Sequence, residues 1–273
     1  MRVAIQGEFG SFSHEAALAL ESEAVVVPCA KAADVLKNLT CAQVDAAVIP
    51  VENSLAGSVI DFYDLFFEHE FVIERELQMR IRHNLMAAPG ATMDSLRRVF
   101  SHPVALAQCK RFFAANPQLE AAPFYDTAGS AQHVMQANNT ELAAIASKQA
   151  AACYGAKILR EGIEDREESY TRFWMVRRLD DAPWESAPTK LSLVFLLENR
   201  PGALLQALGA FAARDLNLTK IESRPMIGRP WEYMFYSDVS IPGNSAADSV
   251  VEDLRKICPL VKELGRYRAS NLE

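Results

Sequence analysis

The stretch Ser169-Tyr170-Thr171-Arg172-Phe173-Trp174-Met175-Val176 is typical of a β-strand, because aromatic and β-branched residues dominate it and it contains neither Gly nor Pro. Side chains alternate along a strand, so Thr171 and Phe173 share one face while Arg172 lies on the other. Two interpretations are open. Thr171 is either an ordinary residue of a half-buried strand beside a surface arginine, or a hydroxyl donor held against an apolar wall and facing a cleft. The rest of the chain decides between them.

Composition narrows the class of protein. The chain has 273 residues, of which 50% are hydrophobic, enough for two domains with their own cores. A net charge of -7 argues against nucleic acid or a membrane surface as a partner, and no apolar run is long enough to span a bilayer. Scattered cysteines without a C-x-x-C pair, and an N-terminus that enters a strand at once instead of a signal peptide, indicate a cytoplasmic protein. The histidines lack metal-ligand spacing, so we expect no metal.

The first half of the chain alternates short apolar runs with helical segments. Strands are predicted at 2–6, 24–28 and 45–50, with helices at 11–20 and 31–42 between them. This β-α-β-α-β rhythm favours a parallel sheet with crossover helices. A second α/β lobe is predicted at about 83–158, after which the strand around Thr171 returns the chain to the first lobe. The sequence therefore predicts two α/β lobes within 1–178, with a cleft between them.

Polar residues follow several of the predicted strands. Open α/β sheets bind ligands at the carboxyl ends of their strands, so these residues are candidates for a site. The alternative is that Asn53 or Ser54 only caps a helix at 55–69, and that His102 is a structural histidine. The candidates at strand ends are Glu52, Asn53, Ser54, Ser101, His102, Asp126, Thr127 and Ser147.

The C-terminal part reads as a separate domain. A segment at 179–190 with two prolines and mixed charge is typical of a linker. Residues 190–273 then follow the order βαββαβ, which is that of a ferredoxin-like unit. Because so small a domain buries little area of its own, we expect it to pair with a second copy.

Several motifs together resemble the prephenate dehydratases that carry a C-terminal ACT regulatory domain. Thr171-Arg172-Phe173 resembles their TRF motif, and Pro50-Val51-Glu52-Asn53-Ser54 with Gly57 resembles their P-[IV]-E-N-S-x-x-G segment. Further matches are Gly7-Glu8-Phe9-Gly10-Ser11-Phe12-Ser13, Ser101-His102-Pro103, Pro201-Gly202-Ala203-Leu204 and Glu222-Ser223-Arg224-Pro225. With no segment before Met1, the resemblance is to the monofunctional form, which lacks a chorismate mutase domain.

The resemblance implies a fold and an activity. The fold is a two-lobed α/β catalytic domain like a periplasmic binding protein at 1–178, followed by the ferredoxin-like ACT domain at 190–273. The activity is conversion of prephenate to phenylpyruvate, carbon dioxide and water in L-phenylalanine biosynthesis, without a cofactor and under feedback by phenylalanine. Two alternatives stay open: an arogenate dehydratase, which performs the same elimination on the amino-acid analogue, and a non-catalytic amino-acid sensor.

The resemblance also implies roles for individual residues. Thr171 would donate a hydrogen bond or relay a proton to the leaving hydroxyl, because its own acidity is too weak for a general acid. The implied substrate contacts are Glu52, Asn53, Ser54, Ser101, His102, Thr127, Ser147, Arg172 and Phe173. The implied phenylalanine site, formed between ACT domains of a dimer or tetramer, comprises Asn199, Pro201, Gly202, Ala203, Leu204, Glu222, Ser223, Arg224 and Pro225.

One position departs from the family pattern close to the central motif. Family members usually carry Asn two residues before the Thr, where this chain has Ser169. Regular strand alternation would place Ser169 on the face of Thr171. We therefore expect the shorter side chain to weaken a contact on that face.

Overall fold

The computed structural model describes residues 1–183, 185–226, 229 and 231–270, so Trp184 of the predicted linker lies outside it. Within the described residues the chain divides into two compact units, one formed by Met1–Tyr63 with Leu77–Trp174 and the other by Asp64–Glu76 with the described part from Met175 to Ser270. No helix of the described part is long and apolar enough to cross a membrane.

The elements up to residue 181 alternate between strands and helices. They are β1 (Arg2–Gln6), α1 (Phe12–Leu20), β2 (Val25–Cys29), α2 (Ala32–Thr40), β3 (Ala46–Asn53), β4 (Gly57–Ser58), α3 (Ile60–Glu68), β5 (Phe71–Arg80), β6 (Asn84–Ala87), β7 (Arg98–Ser101), α4 (Pro103–Ala107), α5 (Lys110–Ala115), β8 (Glu120–Pro123), α6 (Thr127–Ala137), β9 (Leu142–Ala146), α7 (Lys148–Tyr154), β10 (Lys157–Arg160) and β11 (Tyr170–Arg178), followed by a 3-10 turn (Leu179–Asp181).

The remaining elements follow the βαββαβ order predicted from the sequence. They are β12 (Lys190–Leu197), α8 (Ala203–Ala212), β13 (Leu218–Pro225), β14 (Tyr233–Ser240), α9 (Asn244–Ile257) and β15 (Leu260–Tyr267).

The first sheet contains the strand that holds Thr171. Its order is β2-β1-β3-β11-β5, with β4 paired to β3, and β1 runs parallel to both neighbours as the rhythm predicted. The helix predicted at 55–69 is wrong at its start, because Asn53 pairs with Gly57 in a short hairpin and α3 begins only at Ile60. Gly57 has a positive φ of 86°, which suits the glycine at this tight turn. The hairpin fixes the position of Asn53 at the carboxyl end of β3.

The second sheet is mixed, which the sequence did not predict. Its order is β10-β6-β9-β7-β8, and β6 runs antiparallel to both of its neighbours, β10 and β9. The segment from His102 to Ala115 contains two helices, since α4 ends at Ala107 and α5 starts at Lys110. The Asp165 carboxylate accepts the backbone N–H groups of Lys110 and Arg111, which supports the new start. One face of this sheet packs a core around Leu85, Val99 and Ile145.

The second unit contains an antiparallel sheet of order β13-β14-β12-β15. Helices α8 and α9 cover one face, where Phe195, Phe211 and Leu254 are at most 1% exposed. Burial of aromatic and leucine side chains on this face is the main stabilising contribution of the sheet. The strand β13 lies at the edge, so its outer backbone groups face away from the sheet.

A buried ion pair lies within the second unit. Lys190 Nζ contacts Glu76 Oε1 at 3.0 Å and Oε2 at 2.8 Å, and the two side chains are 8% and 0% exposed. The Ser270 backbone N–H also donates to Glu76, and the Tyr267 hydroxyl lies 3.5 Å from it. Charges this deep are tolerated only when paired and hydrogen-bonded, so each residue depends on the other.

Candidate active site

A pocket of about 360 Å³ opens in the first unit, where strands of both of its sheets end. It lies beside β11 and past the carboxyl ends of β1, β3, β7 and β8, which is where the strand-end rule places a ligand site. The polar side chains that line it are those of Gln6, Glu8, Ser11, Ser13, Asn53, His83, His102, Gln108, Tyr125, Asp126, Thr127 and Thr171.

A hydrogen bond joins Asn53 to Thr171 at the floor of this pocket. Asn53 Nδ2 donates to Thr171 Oγ1 at 2.9 Å. The other end of the same amide, Asn53 Oδ1, accepts the backbone N–H groups of Leu55 and Ala56 at 3.0 and 2.9 Å. Because those two bonds require an acceptor, they fix which end of the amide faces Thr171. The threonine oxygen is therefore the acceptor in this pair, and its own hydrogen stays available.

Apolar side chains form one wall beside Thr171. Phe173 follows on the same face of β11 and is 1% exposed. Phe12, Val59 and Ile81 line the pocket with it. An apolar wall lowers the local dielectric, which strengthens a hydrogen bond made by Thr171 to a bound molecule.

His83 is the most buried titratable group of the pocket. It is 2% exposed, its Nε2 lies 2.8 Å from Gln108 Oε1, and its Nδ1 has no hydrogen-bond partner in the described residues. Burial lowers the pKa of His83, against the opposing effects of Gln108 and Glu164. With the proton on Nε2 toward Gln108, the neutral ring presents Nδ1 as an acceptor.

Two carboxylates and a tyrosine meet on the opposite side. The Tyr125 hydroxyl donates to Glu8 Oε1 at 3.2 Å, which joins the β1–α1 turn to the segment after β8. Asp126 caps α6 by accepting the Gly129 N–H at 2.7 Å. Its carboxylate also lies against the turn, because a Cβ placed on Gly7 would be 3.0 Å from Asp126 Oδ2.

The environment of Asp126 raises the pKa of its carboxyl group. Burial raises the pKa of Asp126 and the Glu8 charge adds to this, whereas the Gly129 and Ala128 N–H groups and the nearby His102 lower it. Burial also raises the pKa of Tyr125, and the charge of Glu8 raises it further. The cluster is therefore a region of negative potential inside the pocket.

The structure brings five of the sequence-predicted residues together at this pocket: Asn53, His102, Thr127, Thr171 and Phe173. His102 caps α4, its Nδ1 accepting the Val104 N–H at 3.3 Å. This bond leaves Nε2 as the position for the proton of a neutral ring, so His102 offers a donor there.

Two predicted serines are used inside the protein instead. Ser101 is fully buried and its hydroxyl donates to the Ile145 carbonyl at 2.6 Å. Ser147 is also fully buried, caps α7 through the Ala150 N–H, and donates to the Gly10 carbonyl at 2.5 Å. Neither lines the pocket, so we leave both out of the proposed substrate contacts.

Arg172 and Glu52 also lie away from the pocket. Arg172 Nη2 is 3.2 Å from Glu52 Oε2, and the guanidinium stands 5.5 Å from the ring centroid of Trp174. Strand alternation explains this placement, because Arg172 lies on the face opposite Thr171. The two charges neutralise each other, so we also leave them out of the substrate contacts.

Ser54 and Ser169 line a neighbouring pocket. Ser54 Oγ donates to the Glu168 carbonyl at 3.0 Å and accepts the Tyr170 N–H at 3.0 Å. Ser169 precedes the first residue of β11, so regular alternation does not extend to it, and its buried hydroxyl has no partner in the described residues. The expected contact of Ser169 on the face of Thr171 is therefore absent from the lining of the main pocket.

The sequence reasoning missed several residues of the pocket. Glu8 and Tyr125 follow strand ends, so the rule that selected Asn53 and His102 would have selected them too. Asp126 is among the strand-end candidates, but the implied substrate contacts did not include it. No sequence pattern pointed to His83 or Gln108 as pocket residues, because only the folded chain brings them together.

The residues predicted for phenylalanine fall into two groups in the second unit. Asn199, Ala203 and Leu204 line a pocket of about 150 Å³ with Trp231 and Tyr233. Gly202 is the N-cap of α8, with a positive φ of 80° that favours glycine, and Pro201 lies in the preceding turn. Glu222, Ser223, Arg224 and Pro225 lie on the edge strand β13 and do not line this pocket.

The described residues contain no group of three His, Cys, Asp or Glu side chains that could hold a metal ion.

Comparisons with known proteins point to the same family over both parts of the chain. A family model for prephenate dehydratase matches residues 3–181, and a model for the ACT domain matches residues 191–258. The chain is 37% identical to an arogenate dehydratase/prephenate dehydratase of Arabidopsis thaliana over 98% of its length, covering 72% of that relative.

Two solved structures are similar over nearly the whole chain. One is a prephenate dehydratase from Arthrobacter aurescens in complex with L-Phe, at 31% identity and a TM-score of 0.89, covering 98% of this chain and 90% of that one. The other is GqqA, described as a novel type of quorum-quenching acylase, at 32% identity and a TM-score of 0.89, covering 99% and 98% of the two chains.

Proposed function

The chain belongs to the prephenate dehydratase family and carries a C-terminal ACT domain, and we propose that it converts prephenate to phenylpyruvate under feedback control by L-phenylalanine. It is then a carbon–oxygen lyase of L-phenylalanine biosynthesis. The hydrogen bond from Asn53 to Thr171, at the floor of a pocket formed by strand ends, is the observation that carries the proposal.

The reaction has a simple chemical requirement. The bond to the ring carboxylate breaks and releases carbon dioxide, its electron pair enters the ring, and the para hydroxyl leaves with a proton as water. Formation of the aromatic ring makes the products favourable. The catalyst must therefore assist the departure of hydroxide, which a hydrogen-bond donor aimed at that oxygen does.

Thr171 meets this requirement. Because Thr171 Oγ1 accepts the Asn53 N–H, the threonine hydrogen is left to donate to a substrate oxygen. As the C–O bond lengthens, negative charge develops on the leaving oxygen and the Thr171 hydrogen bond stabilises it. The Asn53 N–H holds the threonine oxygen in position for this hydrogen bond, and the departing hydroxide takes from solvent the proton that makes it water.

The substrate carboxylates find neutral donors at the pocket. Helix α1 begins at its rim, at Phe12, and the first N–H groups of a helix have no partner within the helix. A helix N-terminus also attracts anions through its dipole. The Thr127 hydroxyl and His102 add side-chain donors. These contacts hold a carboxylate without a strong ion pair that would oppose decarboxylation.

Two other functions are less well supported. A serine acylase needs a hydroxyl bonded to a general base. Here Ser11 Oγ accepts the His14 backbone N–H, and the His14 ring accepts the Gly10 N–H at 2.8 Å, so these residues do not form such a pair. A non-catalytic sensor has no need of a donor held beside an apolar wall, which the Thr171–Asn53 pair with Phe173 provides.

Regulation by phenylalanine is the second part of the proposal. The similar structure from Arthrobacter aurescens is a complex with L-Phe, and the pocket around Leu204 combines apolar side chains with the N-terminus of α8. These features suit the side chain and the carboxylate of an amino acid. Glu222 to Pro225 would reach it from a second copy, through association of ACT domains as a dimer or tetramer. A cytoplasmic location, in keeping with five free cysteines, also remains a proposal.

The proposal is tested with the purified full-length protein. We expect release of phenylpyruvate from prephenate, followed by product absorbance, and a decrease of this rate when phenylalanine is added. Formation of phenylpyruvate no faster than the spontaneous reaction, both with prephenate and after removal of any bound phenylalanine, would refute the assignment.

A further inference from the structure

His83 and Gln108 form a hydrogen-bonded pair at the substrate pocket. His83 Nε2 lies 2.8 Å from Gln108 Oε1, and both residues line the pocket that contains Thr171. On the other side of the ring, His83 Nδ1 is buried and has no hydrogen-bond partner in the described residues. The Gln108 side chain makes no further hydrogen bond within that part of the chain. The pair therefore turns one unpaired ring nitrogen toward the interior and leaves one end of the amide for the pocket.

The buried Nδ1 decides which end of the amide that is. If Nδ1 carried the proton, a buried N–H donor would lack an acceptor, which costs more than a lone pair that lacks a donor. The proton is therefore on Nε2, which donates it to Gln108 Oε1. Burial lowers the pKa of His83, although Gln108 and Glu164 oppose this, so a second proton on Nδ1 is also disfavoured. With its oxygen engaged, Gln108 keeps its amide nitrogen and both N–H donors for a bound molecule.

The direction of this amide matters because prephenate is a dianion. Its two carboxylates and its keto group are hydrogen-bond acceptors, so they require donors from the pocket. The amide nitrogen of Gln108 supplies a neutral donor, whereas the amide oxygen in the same place would repel a carboxylate. Glu8 and Asp126 line the same pocket, and a further acceptor would add to their repulsion of the substrate.

We infer that His83 is a positioning residue, which holds the Gln108 amide with its N–H groups toward the pocket, where they donate to a carboxylate or keto oxygen of the substrate. The inference rests on the proposed elimination and adds a residue to its binding machinery. His83 acts through Gln108, because one of its ring nitrogens is directed to that amide and the other is buried in the protein.

A purely structural role does not account for the His83 ring. The backbone already anchors this segment, since the His83 N–H donates to Glu164 Oε2 at 2.9 Å and the His83 carbonyl accepts the Ile163 N–H at 2.9 Å. The residue is 2% exposed, and its ring packs edge-to-face with Phe12. A leucine could fill this place without an unpaired buried nitrogen, which costs free energy. That cost is explained if the imidazole directs the Gln108 amide.

A double-mutant cycle of kcat/KM with prephenate tests the inference in four full-length proteins: the parent, His83→Leu, Gln108→Leu and the double variant. In His83→Leu the amide is no longer held, so kcat/KM should fall about tenfold, chiefly through a higher KM, because a hydrogen bond to a charged group is weakened. In the Gln108→Leu background the same change should cost less than about twofold, since the amide on which His83 acts is already absent. His83→Gln keeps an N–H donor and should recover most of the loss.

A control variant and a measurement on the parent complete the test. His133→Leu also removes an imidazole, but His133 packs against Phe100 and Phe124 and does not line the pocket, so its kcat/KM should equal that of the parent. The ring nitrogen chemical shifts of His83 in isotopically labelled parent, assigned by their loss in His83→Gln, should show a protonated Nε2 and an unprotonated Nδ1 at pH 7. This second measurement decides if His83→Leu does not fold.

The outcomes separate this inference from the proposed function. A protonated Nδ1 with an unprotonated Nε2 overturns the inference, because Gln108 would then turn its oxygen toward the pocket. Equal losses from His83→Leu in the parent and in the Gln108→Leu background, an unchanged kcat/KM in folded His83→Leu, or a similar loss in His133→Leu also overturn it. Turnover of prephenate by the parent leaves the elimination standing in each of these cases. No turnover of prephenate by the parent overturns both.

Discussion

Asn53 donates its side-chain N–H to the hydroxyl oxygen of Thr171 across 2.9 Å, although the two residues lie 118 positions apart in the chain. The hairpin of β3 and β4 holds the amide by its oxygen, and β11 holds the threonine. Because the Thr171 oxygen already accepts the Asn53 N–H, the Thr171 hydroxyl hydrogen can be donated to a substrate. Catalysis by a side chain as weakly acidic as threonine depends on such positioning.

Replacing Asn53 by aspartate tests whether catalysis depends on the hydrogen bond from Asn53 to Thr171. Aspartate can still accept the N–H groups of Leu55 and Ala56, so the turn is kept, but an ionised carboxylate cannot donate to Thr171 and would instead draw the threonine hydrogen toward itself. We expect kcat to fall about 100-fold or more. Asn139→Asp is the matched control, because Asn139 accepts the Glu141 N–H in a similar exposed turn. Equal kcat in Asn53→Asp and the control would contradict this role of Asn53.

The acidic cluster should reduce stability at neutral pH. The pKa of Asp126 is raised in the folded protein, chiefly by burial and further by Glu8, so folding favours its protonated form. This stability is fully present below the unfolded pKa and is lost as the pH rises through the folded pKa. Asp126→Asn keeps the helix cap and cannot ionise. Its melting temperature should exceed that of the parent at pH 7, and the difference should shrink as the pH is lowered.

Other titrating groups face Asp126 and must be separated from it. Glu8, Tyr125, Tyr154 and His102 all act on the cluster, and burial together with nearby negative groups raises the pKa of Tyr154 to about 12. The charge of Glu8 raises the pKa of Asp126, so the comparison is repeated in a Glu8→Gln background. A difference between Asp126→Asn and its parent that does not depend on pH would contradict the account of the cluster.

The ion pair of the second unit gives a stability prediction. Lys190→Met leaves the fully buried Glu76 without its cation, which costs about 3–5 kcal/mol when a buried pair is broken from one side. The double variant Lys190→Met with Glu76→Gln removes the stranded charge and should recover more than half of this loss. Denaturant unfolding of both variants gives the two free energies. Equal destabilisation of both would show that the charges contribute little.

Two adjacent leucines test the phenylalanine site. Leu204 lines the pocket at the start of α8, whereas Leu205 is 74% exposed and does not line it. Leu204→Ala removes apolar contact with the effector, so the phenylalanine concentration for half-maximal inhibition should rise about tenfold. Leu205→Ala should leave that concentration unchanged. A similar shift in both variants, or none in Leu204→Ala, would place the effector elsewhere.

Local sequence patterns predicted much of the framework. The alternation of apolar runs predicted the parallel strands β1, β2 and β3, and the βαββαβ order of the C-terminal part, because each is encoded in a short continuous segment. The same patterns did not reveal β6 and β10. These strands are four residues long, and their antiparallel pairing depends on neighbours far along the chain.

For the site too, the sequence predicted features that depend on neighbouring residues, but not contacts between residues far apart in the chain. Strand ends pointed to Asn53, His102 and Thr127, and alternation along β11 correctly separated Thr171 and Phe173 from Arg172. Alternation could not show that Ser101 and Ser147 donate to backbone carbonyls, since those acceptors come from other elements. Nor could it show that Glu8 meets Tyr125, a contact that spans 117 positions and creates the acidic side of the pocket.

The central claim is that the Thr171 hydroxyl assists departure of the leaving group, and the most direct test is kcat of Thr171→Ala and Thr171→Ser in full-length protein shown by circular dichroism to be folded. Loss of this donor should lower kcat about 100-fold or more in Thr171→Ala. Thr171→Ser keeps a hydroxyl within reach of Asn53 and should retain a substantial part of the activity. If folded Thr171→Ala turns over as fast as the parent, Thr171 is not the donor and the mechanism is wrong.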